Sequence, residues 1–227
     1  MLRGRMDRPR ATVFDLDGTL VDNMRFHGDA WLALAARLGA PATREDFERT
    51  WAGKKADEIF AILLGRRLPA AESAALEQEK ELAYRAAYRP AVAPVRGLFP
   101  FLDRLAAAGI RLAVATAAPE ANRVMVLEAL GLASRFEVVV GPEGATVRGK
   151  PFPDIYLLAA KALDLPAAAC LAFEDAVNGV VSARAAGMEV AAVLTSVGEV
   201  ELRAAGARYA MRDFASLPPE LEQRLFG

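Results

Sequence analysis

Two aspartates stand two residues apart at the end of a short apolar segment. Residues 11–14 are apolar and rich in β-formers, and the sequence DLDGT follows directly. In an extended chain, Asp15 and Asp17 project from one face while Leu16 points the opposite way. Carboxylates this close repel unless a divalent cation neutralises one or one holds a proton, conditions that suit phosphoryl transfer. Taken alone, the pair is equally compatible with a capping Asp15 and a simple turn at Asp17-Gly18.

Further polar residues follow other apolar segments. Thr116 comes after the segment 112–115 and precedes a helical pattern, so its hydroxyl and the nearby amide of Ala117 are candidates to hold a phosphoryl oxygen. Lys150 lies in the proline-stiffened sequence GKPFPD, and the carboxylates Glu174 and Asp175 follow another apolar segment. Each has a simpler alternative, because threonine and acidic residues also cap helices.

Alternating apolar and helical segments indicate how these residues are positioned. Short strand-like segments alternate with amphipathic stretches that end at glycine, which predicts an α/β fold with a doubly wound parallel sheet, a Rossmann-like core. In such sheets ligands bind outside the carboxyl ends of the strands, where all of these polar residues fall. The predicted strands span residues 11–14, 112–115, 138–140, 171–173 and 190–194, and the predicted core helices span 97–108, 119–130 and 176–186.

The interval between the first two predicted strands has no strand-like segment. It carries helical patterns over residues 26–38, 55–64 and 71–88. We therefore predict an all-helical cap inserted into the core. The predicted division is a flexible tail at 1–10, a catalytic core at 11–21 and 93–227, and a cap at 22–92.

Composition and charge limit the classes of function. A chain of 227 residues with 54% hydrophobic residues can bury a sizeable core, and a formal net charge of −1 gives no general attraction for nucleic acid or an anionic membrane. The sequence has neither a secretory h-region nor an apolar span long enough for a bilayer, so we expect a cytoplasmic protein without a membrane partner. A monomer is favoured. Cys170, the sole cysteine, is predicted to be a buried strand residue.

Carboxylates without a cluster of His or Cys favour Mg²⁺ as the cofactor, because this hard cation prefers oxygen ligands. The segment 15–22 (DLDGTLVD), Thr116, Lys150 and the pair Glu174-Asp175 resemble, in order and spacing, the four motifs of the haloacid dehalogenase superfamily. The resemblance covers nearly the whole chain. The helical insertion looks like the cap of the β-phosphoglucomutase and sugar-phosphate phosphatase branch.

The resemblance implies a role for each motif residue. Asp15 would attack phosphorus to form an aspartyl-phosphate, and Asp17 would protonate the leaving oxygen and later activate water. Thr116 and Lys150 would bind the phosphoryl oxygens. Asp15, the Asp17 carbonyl, Glu174 and Asp175 would hold Mg²⁺, with Glu174 in or just beyond the first ligand sphere.

Substrate choice is expected to lie in the cap. By the same resemblance, His27 and Lys80 are candidates to contact substrate, although His27 could also be a packing imidazole and Lys80 could lie on a solvated helix face. The mutase-like pattern would place an arginine near Ala56. Lys54 or Lys55 could replace it only as a point charge, which favours a hydrolase over a mutase.

These features predict a Mg²⁺-dependent phosphatase acting on a small phosphorylated metabolite such as a sugar or polyol phosphate. The alternatives are a β-phosphoglucomutase-type mutase, a receiver domain that keeps its phosphoryl group, and an inactive scaffold. The helical insertion argues against a receiver domain. A dehalogenase would leave Asp17 and the Glu174-Asp175 pair without a purpose, because its leaving group needs neither a proton nor Mg²⁺.

Overall fold

The fold is taken from a computed structural model, which describes residues 8–143 and 147–227. Six parallel strands form one sheet. Numbered β1 to β6 along the chain, they span Ala11–Phe14, Arg111–Ala115, Val138–Val140, Cys170–Glu174, Glu189–Val193 and Tyr209–Met211. Their spatial order is β3-β2-β1-β4-β5-β6. The winding reverses between β1 and β4, which creates a crevice at the carboxyl ends of these two central strands.

Ten α-helices occur in the described part of the chain. Numbered α1 to α10, they span Met24–Arg37, Arg44–Asp46, Ala56–Leu64, Ala70–Tyr88, Leu98–Ala107, Glu120–Ala129, Asp154–Ala162, Val177–Ala185, Glu199–Ala204 and Pro219–Phe226. The short α2 continues into a π-helical turn at Phe47–Trp51. The first four helices all lie between β1 and β2 in the chain. They therefore form a single insertion in the alternation of strands and helices.

The predicted doubly wound sheet with a helical insertion is confirmed. The five predicted strands lie within one residue of their expected bounds, and the three predicted core helices end just before their glycines. Strand β6 and the helices α7, α9 and α10 were not predicted. Strand β6 has only three residues at a sheet edge, which is too few to show a period of two.

Alternation along the strands gives the sheet two unlike faces. On one face, large residues such as Phe14 and Phe173 pack against α5, α6 and α10, and these two rings stack with centroids 4.7 Å apart. Burying each ring stabilises the fold by about 1.5–3 kcal/mol. The other face presents small residues such as Ala113, Ala115 and Ala172 to α7, α8 and α9. Small side chains allow these helices to lie close to the strand ends.

The inserted helices have an apolar core of their own, in which Trp31, Phe47, Trp51 and Phe60 are buried together. The two connections to the sheet run side by side, because Val21 forms a bridge to Pro94. The predicted boundaries of the cap at 22 and 92 remain a prediction.

Three further expectations from the sequence concern the N-terminal tail, Cys170 and membrane-spanning segments. Residues 1–7 of the predicted tail lie outside the described residues, while the Arg10 amide donates to the Ala169 carbonyl at 2.8 Å. Cys170 is buried at the start of β4, as expected. Within residues 8–143 and 147–227, no helix combines the length and the apolar character needed to cross a bilayer.

Candidate active site

The polar residues singled out in the sequence line one cleft at the carboxyl edge of the sheet. Asp15 follows β1, Thr116 follows β2, Glu174 ends β4 and Asp175 comes next, while Lys150 enters from the loop before α7. Helices α1, α3 and α4 cover the cleft, whose cavity volume is about 80 Å³. The sheet topology brings these residues together because parallel strands end at one edge.

Lys150 lies between two carboxylates and is itself only 2% exposed. Its ammonium Nζ is 3.0 Å from Asp15 Oδ1 and 2.5 Å from Glu174 Oε1. Burial alone would favour the neutral amine, but the charges of Asp15 and Glu174 outweigh it and hold the pKa of Lys150 above its ordinary value. Lys150 is therefore a fixed positive charge beside the candidate nucleophile.

Glu174 has a full set of hydrogen bonds. Its Oε1 accepts from Lys150 and from the Tyr156 hydroxyl at 2.7 Å, and its Oε2 accepts from the amides of Asp175 and Ala176 at 3.0 and 3.3 Å. A Cβ on Gly179 would lie 1.9 Å from Oε1, so only glycine fits at this point of α8. The carboxylate of Glu174 is therefore locked in place and orients Lys150.

Three buried carboxylates converge with one ammonium between them. Ligand oxygens of Asp15, Glu174 and Asp175 all lie within 4.8 Å of one another. Burial raises the pKa of Asp15 to about 7 against the attraction of Lys150, and burial and Glu174 raise that of Asp175 well above its ordinary value. Among the described residues, Asp15 Oδ1 has the Lys150 ammonium 3.0 Å away as an ion-pair partner but accepts no hydrogen bond of good geometry. A cluster of carboxylate oxygens with acceptor positions to spare fits a hard cation such as Mg²⁺.

Asp175 is held by hydroxyl groups from the loops after β1 and β5. The Thr19 hydroxyl donates to Asp175 Oδ1 at 3.3 Å, and the Ser196 hydroxyl donates to Oδ2. Gly18 has a φ of +78°, and a Cβ there would lie 1.9 Å from Asp175 Oδ2. Gly18 is thus required both by the turn and by the close approach of this carboxylate.

Asp17 is bound mainly by residues of the helical insertion. Asn23 Nδ2 donates to Asp17 Oδ1 at 2.6 Å and also to the Tyr84 hydroxyl at 2.7 Å, while His27 Nε2 lies 3.5 Å from Asp17 Oδ2. Burial opposes ionisation of Asp17, but His27, the Asn23 hydrogen bond and Lys80 lower its pKa below the ordinary value. Asp17 is therefore a carboxylate in the resting protein.

Lys80 is buried, which corrects the alternative of a solvated helix face. Only 3% of it is exposed, and its Nζ lies 2.8 Å from His27 Nδ1 and 2.7 Å from Glu81 Oε1. His27 stacks on Tyr84 with ring centroids 3.7 Å apart. His27 and Lys80 thus form a connected pair behind Asp17.

Glu81 extends these contacts from the insertion to the core. Asn122 of α6 donates through Nδ2 to Glu81 Oε2 at 2.6 Å, and Arg85 donates to Asn122 Oδ1 at 2.8 Å. Asn122 is fully buried, so both of its side-chain groups need partners and find them on α4. These bonds hold α4 against α6.

The family model for haloacid dehalogenase-like hydrolases matches residues 9–187, a range that contains every candidate catalytic residue. The chain belongs to this family. It is 31% identical to β-phosphoglucomutase of Bacillus subtilis, covering 79% of this chain and 80% of the relative. It is 30% identical to validoxylamine A 7'-phosphate phosphatase of Streptomyces hygroscopicus, covering 79% and 83%. CbbY of Rhodobacter sphaeroides, crystallised with xylulose-(1,5)bisphosphate, superposes with a TM-score of 0.76 at 28% identity over 92% and 96% of the two chains.

In this haloacid dehalogenase-like hydrolase, Thr116 does not cap the helix that follows it. Its hydroxyl accepts from the Ala118 amide at 3.1 Å, and Pro119 is the residue that precedes α6. Thr116 is buried, and both Thr116 and Ala117 line the cleft. The hydroxyl hydrogen and the Ala117 amide thus belong to the wall that faces Asp15 and Lys150.

The two cap lysines of the hydrolase occupy different positions. Lys54 lines the cleft and follows Gly53, whose carbonyl accepts from the Lys150 amide at 3.2 Å. Lys55 instead donates to the Val147 carbonyl at 3.2 Å. Ala56 lines the cleft where the mutase pattern would have an arginine. Of the two lysines, Lys54 is the one that lines the cleft.

Sequence reasoning missed several polar residues of this hydrolase, among them Asn23, Asn122 and Tyr156. Each bonds to a residue far away in the chain or on another element: Asn23 to Tyr84, Asn122 to Glu81 and Tyr156 to Glu174. No motif carries them, because asparagine and tyrosine are common in ordinary helices. The only sequence signal was that Asn23 directly follows the segment 15–22.

Proposed function

We propose that the chain is a Mg²⁺-dependent phosphomonoester hydrolase that acts on a small sugar or polyol phosphate through an aspartyl-phosphate. One observation carries the proposal: a buried Asp15 carboxylate lies 3.0 Å from a locked lysine in a cleft that also holds Asp17 and Asp175. This arrangement supplies a nucleophile, positive charge and an acid/base, which phosphoryl transfer requires. Membership of a hydrolase family that includes sugar-phosphate relatives supports the same conclusion.

In the first step, a carboxylate oxygen of Asp15 forms a bond to phosphorus and the bond from phosphorus to the ester oxygen breaks. Asp17 gives a proton to that leaving oxygen. Asp17 is ionised at rest, but a bound phosphate dianion beside it raises its pKa, because like charges disfavour ionisation. Lys150, the Thr116 hydroxyl and the Ala117 amide bind the phosphoryl oxygens.

In the second step, water attacks the phosphorus of the aspartyl-phosphate. Asp17, now a carboxylate, takes a proton from this water, and the bond between phosphorus and Asp15 breaks to release inorganic phosphate. Asp17 takes up its first proton from solvent when the phosphate dianion binds, and it gives one proton back to solvent when inorganic phosphate leaves. Asp15 and Asp17 then return to their initial states.

Asp15, Asp175 and the backbone carbonyl of Asp17 would hold Mg²⁺, which supplies positive charge that neutralises the nucleophile and the phosphate as they approach. Glu174 would not be a direct ligand, because its two oxygens already accept four hydrogen bonds. It positions Lys150 instead.

A phosphosugar mutase is the second candidate, favoured by the similarity to β-phosphoglucomutase. Ala56 argues against it, because it provides no guanidinium for the second phosphate of a bisphosphate intermediate. The family assignment argues against a receiver domain. A dehalogenase and an inactive scaffold predict an absence of phosphate release, which the same experiment detects.

Phosphate release from a panel of sugar, polyol and nucleotide monophosphates, with and without Mg²⁺, tests the proposal. The panel includes β-glucose 1-phosphate with a bisphosphate primer. We expect Mg²⁺-dependent release from a sugar or polyol phosphate. Formation of glucose 6-phosphate without phosphate release would establish the mutase, and no reaction with any ester would refute both functions.

Replacing Asp17 by asparagine should separate the two steps of the reaction. p-Nitrophenolate needs no proton to leave, so Asp17→Asn should still give one burst of nitrophenolate per active site. Its burst with a sugar phosphate should be slower by about 10²–10⁴-fold, the usual value of a general acid. Rapid-quench measurements check both. Equal slowing of both bursts would contradict an acid role for Asp17.

His27→Ala should give a weaker form of the same pattern. His27 lies 3.5 Å from Asp17 and bonds to Lys80, so its loss should disturb Asp17 without touching Asp15. We expect sugar-phosphate turnover to fall by about tenfold to a hundredfold while the nitrophenolate burst is unchanged. An equal loss on both substrates would indicate that His27 is only structural.

A further inference from the structure

The cap side of the cleft is mostly apolar and carries few charges. Its apolar wall comes from Trp31, Phe47, Trp51 and Ile59. Its ionisable lining residues are Lys54, Glu77, Lys80 and Glu81, apart from the imidazole of His27. Such charges discriminate between substrates, so we asked which of these side chains already have a charged or hydrogen-bonding partner in the protein.

Lys80 and Glu81 already have partners within the protein. They pair with each other at 2.7 Å and bond further to His27 and Asn122, and both are buried. Their charges cancel locally. Neither side chain is free to bind a substrate group without breaking this network.

Glu77 differs from both. It is partly exposed and faces the cleft, and among residues 8–143 and 147–227 it has no hydrogen-bond or ion-pair partner. Partial burial and the charges of Glu81 and Asp57 raise its pKa, although Lys80 and Lys55 attract the carboxylate. A carboxylate in this condition gains from any hydrogen-bond donor that enters the cleft.

The position of Glu77 along α4 indicates which part of a substrate it meets. Glu77 precedes Glu81 by four residues, or about 6 Å along the helix, whereas the Lys80-His27 pair lies beside Asp17. Asp17 is the proposed acid for the leaving oxygen, and an organic part that fills the cap side of the cleft meets Glu77, which lines that side. Lys54 also lines the cleft and follows Gly53, whose carbonyl accepts from the Lys150 amide.

We propose that Glu77 determines specificity by selecting phosphate monoesters whose organic part offers hydroxyl or amino donors and carries no second negative charge. This inference rests on the proposed function and narrows its substrate class. A second phosphate or a carboxylate near Glu77 meets like charge in a partly buried place. Ala56 lies on the same wall, where an arginine would have supplied a guanidinium to offset that repulsion.

Glu77→Gln tests the inference, because it keeps the shape and removes the charge. The matched control is Glu79→Gln, since Glu79 lies on the same helix but forms an exposed ion pair with Arg37. For each variant, kcat/KM is measured for glucosamine 6-phosphate, glucose 6-phosphate, 6-phosphogluconate and p-nitrophenyl phosphate.

We expect the wild type and Glu79→Gln to prefer both neutral and amino sugars over 6-phosphogluconate by about tenfold or more. In Glu77→Gln that preference should shrink by about tenfold, while p-nitrophenyl phosphate hydrolysis stays unchanged. A preference that is the same in all three proteins would overturn the inference and leave the proposed hydrolase intact.

Ligand binding keeps the test valid if turnover is absent. In Asp15→Asn, with and without Glu77→Gln, the shift in melting temperature caused by glucosamine 6-phosphate and by 6-phosphogluconate is compared. Stronger stabilisation by the amino sugar that depends on Glu77 supports the inference. Equal stabilisation by both ligands overturns it, whereas failure to hydrolyse any ester refutes only the proposed function.

Discussion

Replacing Asp15 by asparagine is expected to abolish phosphate release, with a loss of about 10³-fold or more, because an amide cannot form the covalent intermediate. Acid-quenched wild-type enzyme should carry one phosphoryl group by intact mass, and Asp15→Asn should carry none. Asp22→Asn is the matched control, since Asp22 is exposed in the same loop. Full activity of Asp15→Asn would refute the aspartyl-phosphate.

The same substitution should change how stability depends on pH when metal is chelated. The pKa of Asp15 rises from an ordinary 3.8 to about 7, so the folded state holds this proton more tightly than the unfolded chain does. The free energy of unfolding should therefore fall as pH rises from about 4 to about 7. Asp15→Asn should make this decrease in the free energy of unfolding smaller. The part that remains comes from Asp175, whose pKa is also raised. Urea unfolding in EDTA at several pH values measures the difference, and identical slopes would contradict the raised pKa.

Lys150→Met is expected to be the most destabilising of the site substitutions. It keeps a stem of similar length but leaves Glu174 and Asp15 without their counter-charge in a buried place. Breaking a buried pair by removing one partner costs about 3–5 kcal/mol. Phosphate release should also fall below detection.

Urea unfolding of Lys150→Met is compared with that of Lys161→Met, a control on the exposed surface of α7. The control should lie within about 0.5 kcal/mol of the wild type. A loss of less than about 1 kcal/mol in Lys150→Met would mean that the ion pairs are more hydrated than their burial indicates.

The sheet and the position of Asp15 could be predicted, because both follow from short, local patterns in the sequence. Buried parallel strands are short apolar runs, and polar residues at their carboxyl ends must meet at one edge of the sheet. Asp15 and Asp175 were found in this way, Lys150 was found from its proline-stiffened loop, and the cleft contains all three. Their catalytic roles await the experiments above.

The hydrogen-bond network around Asp17 could not be predicted, because it depends on pairs of residues that are far apart in the chain. That Asn23 donates to Tyr84, or that Lys80 is buried against His27, follows from how α1 and α4 pack together. Helical periodicity alone placed Lys80 on a solvated face as readily as on a buried one. A single sequence offers no signal for such pairs.

The partners of Asp17 link proton transfer to the position of the inserted helices. The residue precedes the insertion in the chain, yet Asn23 and His27, which bind its carboxylate, both belong to the insertion. If these helices move away from the core, Asp17 loses these two partners, while Asp15 stays bonded to β4 through its backbone amide. We therefore expect closure and proton transfer to be synchronised, so that an open enzyme can bind a phosphate ester without cleaving it.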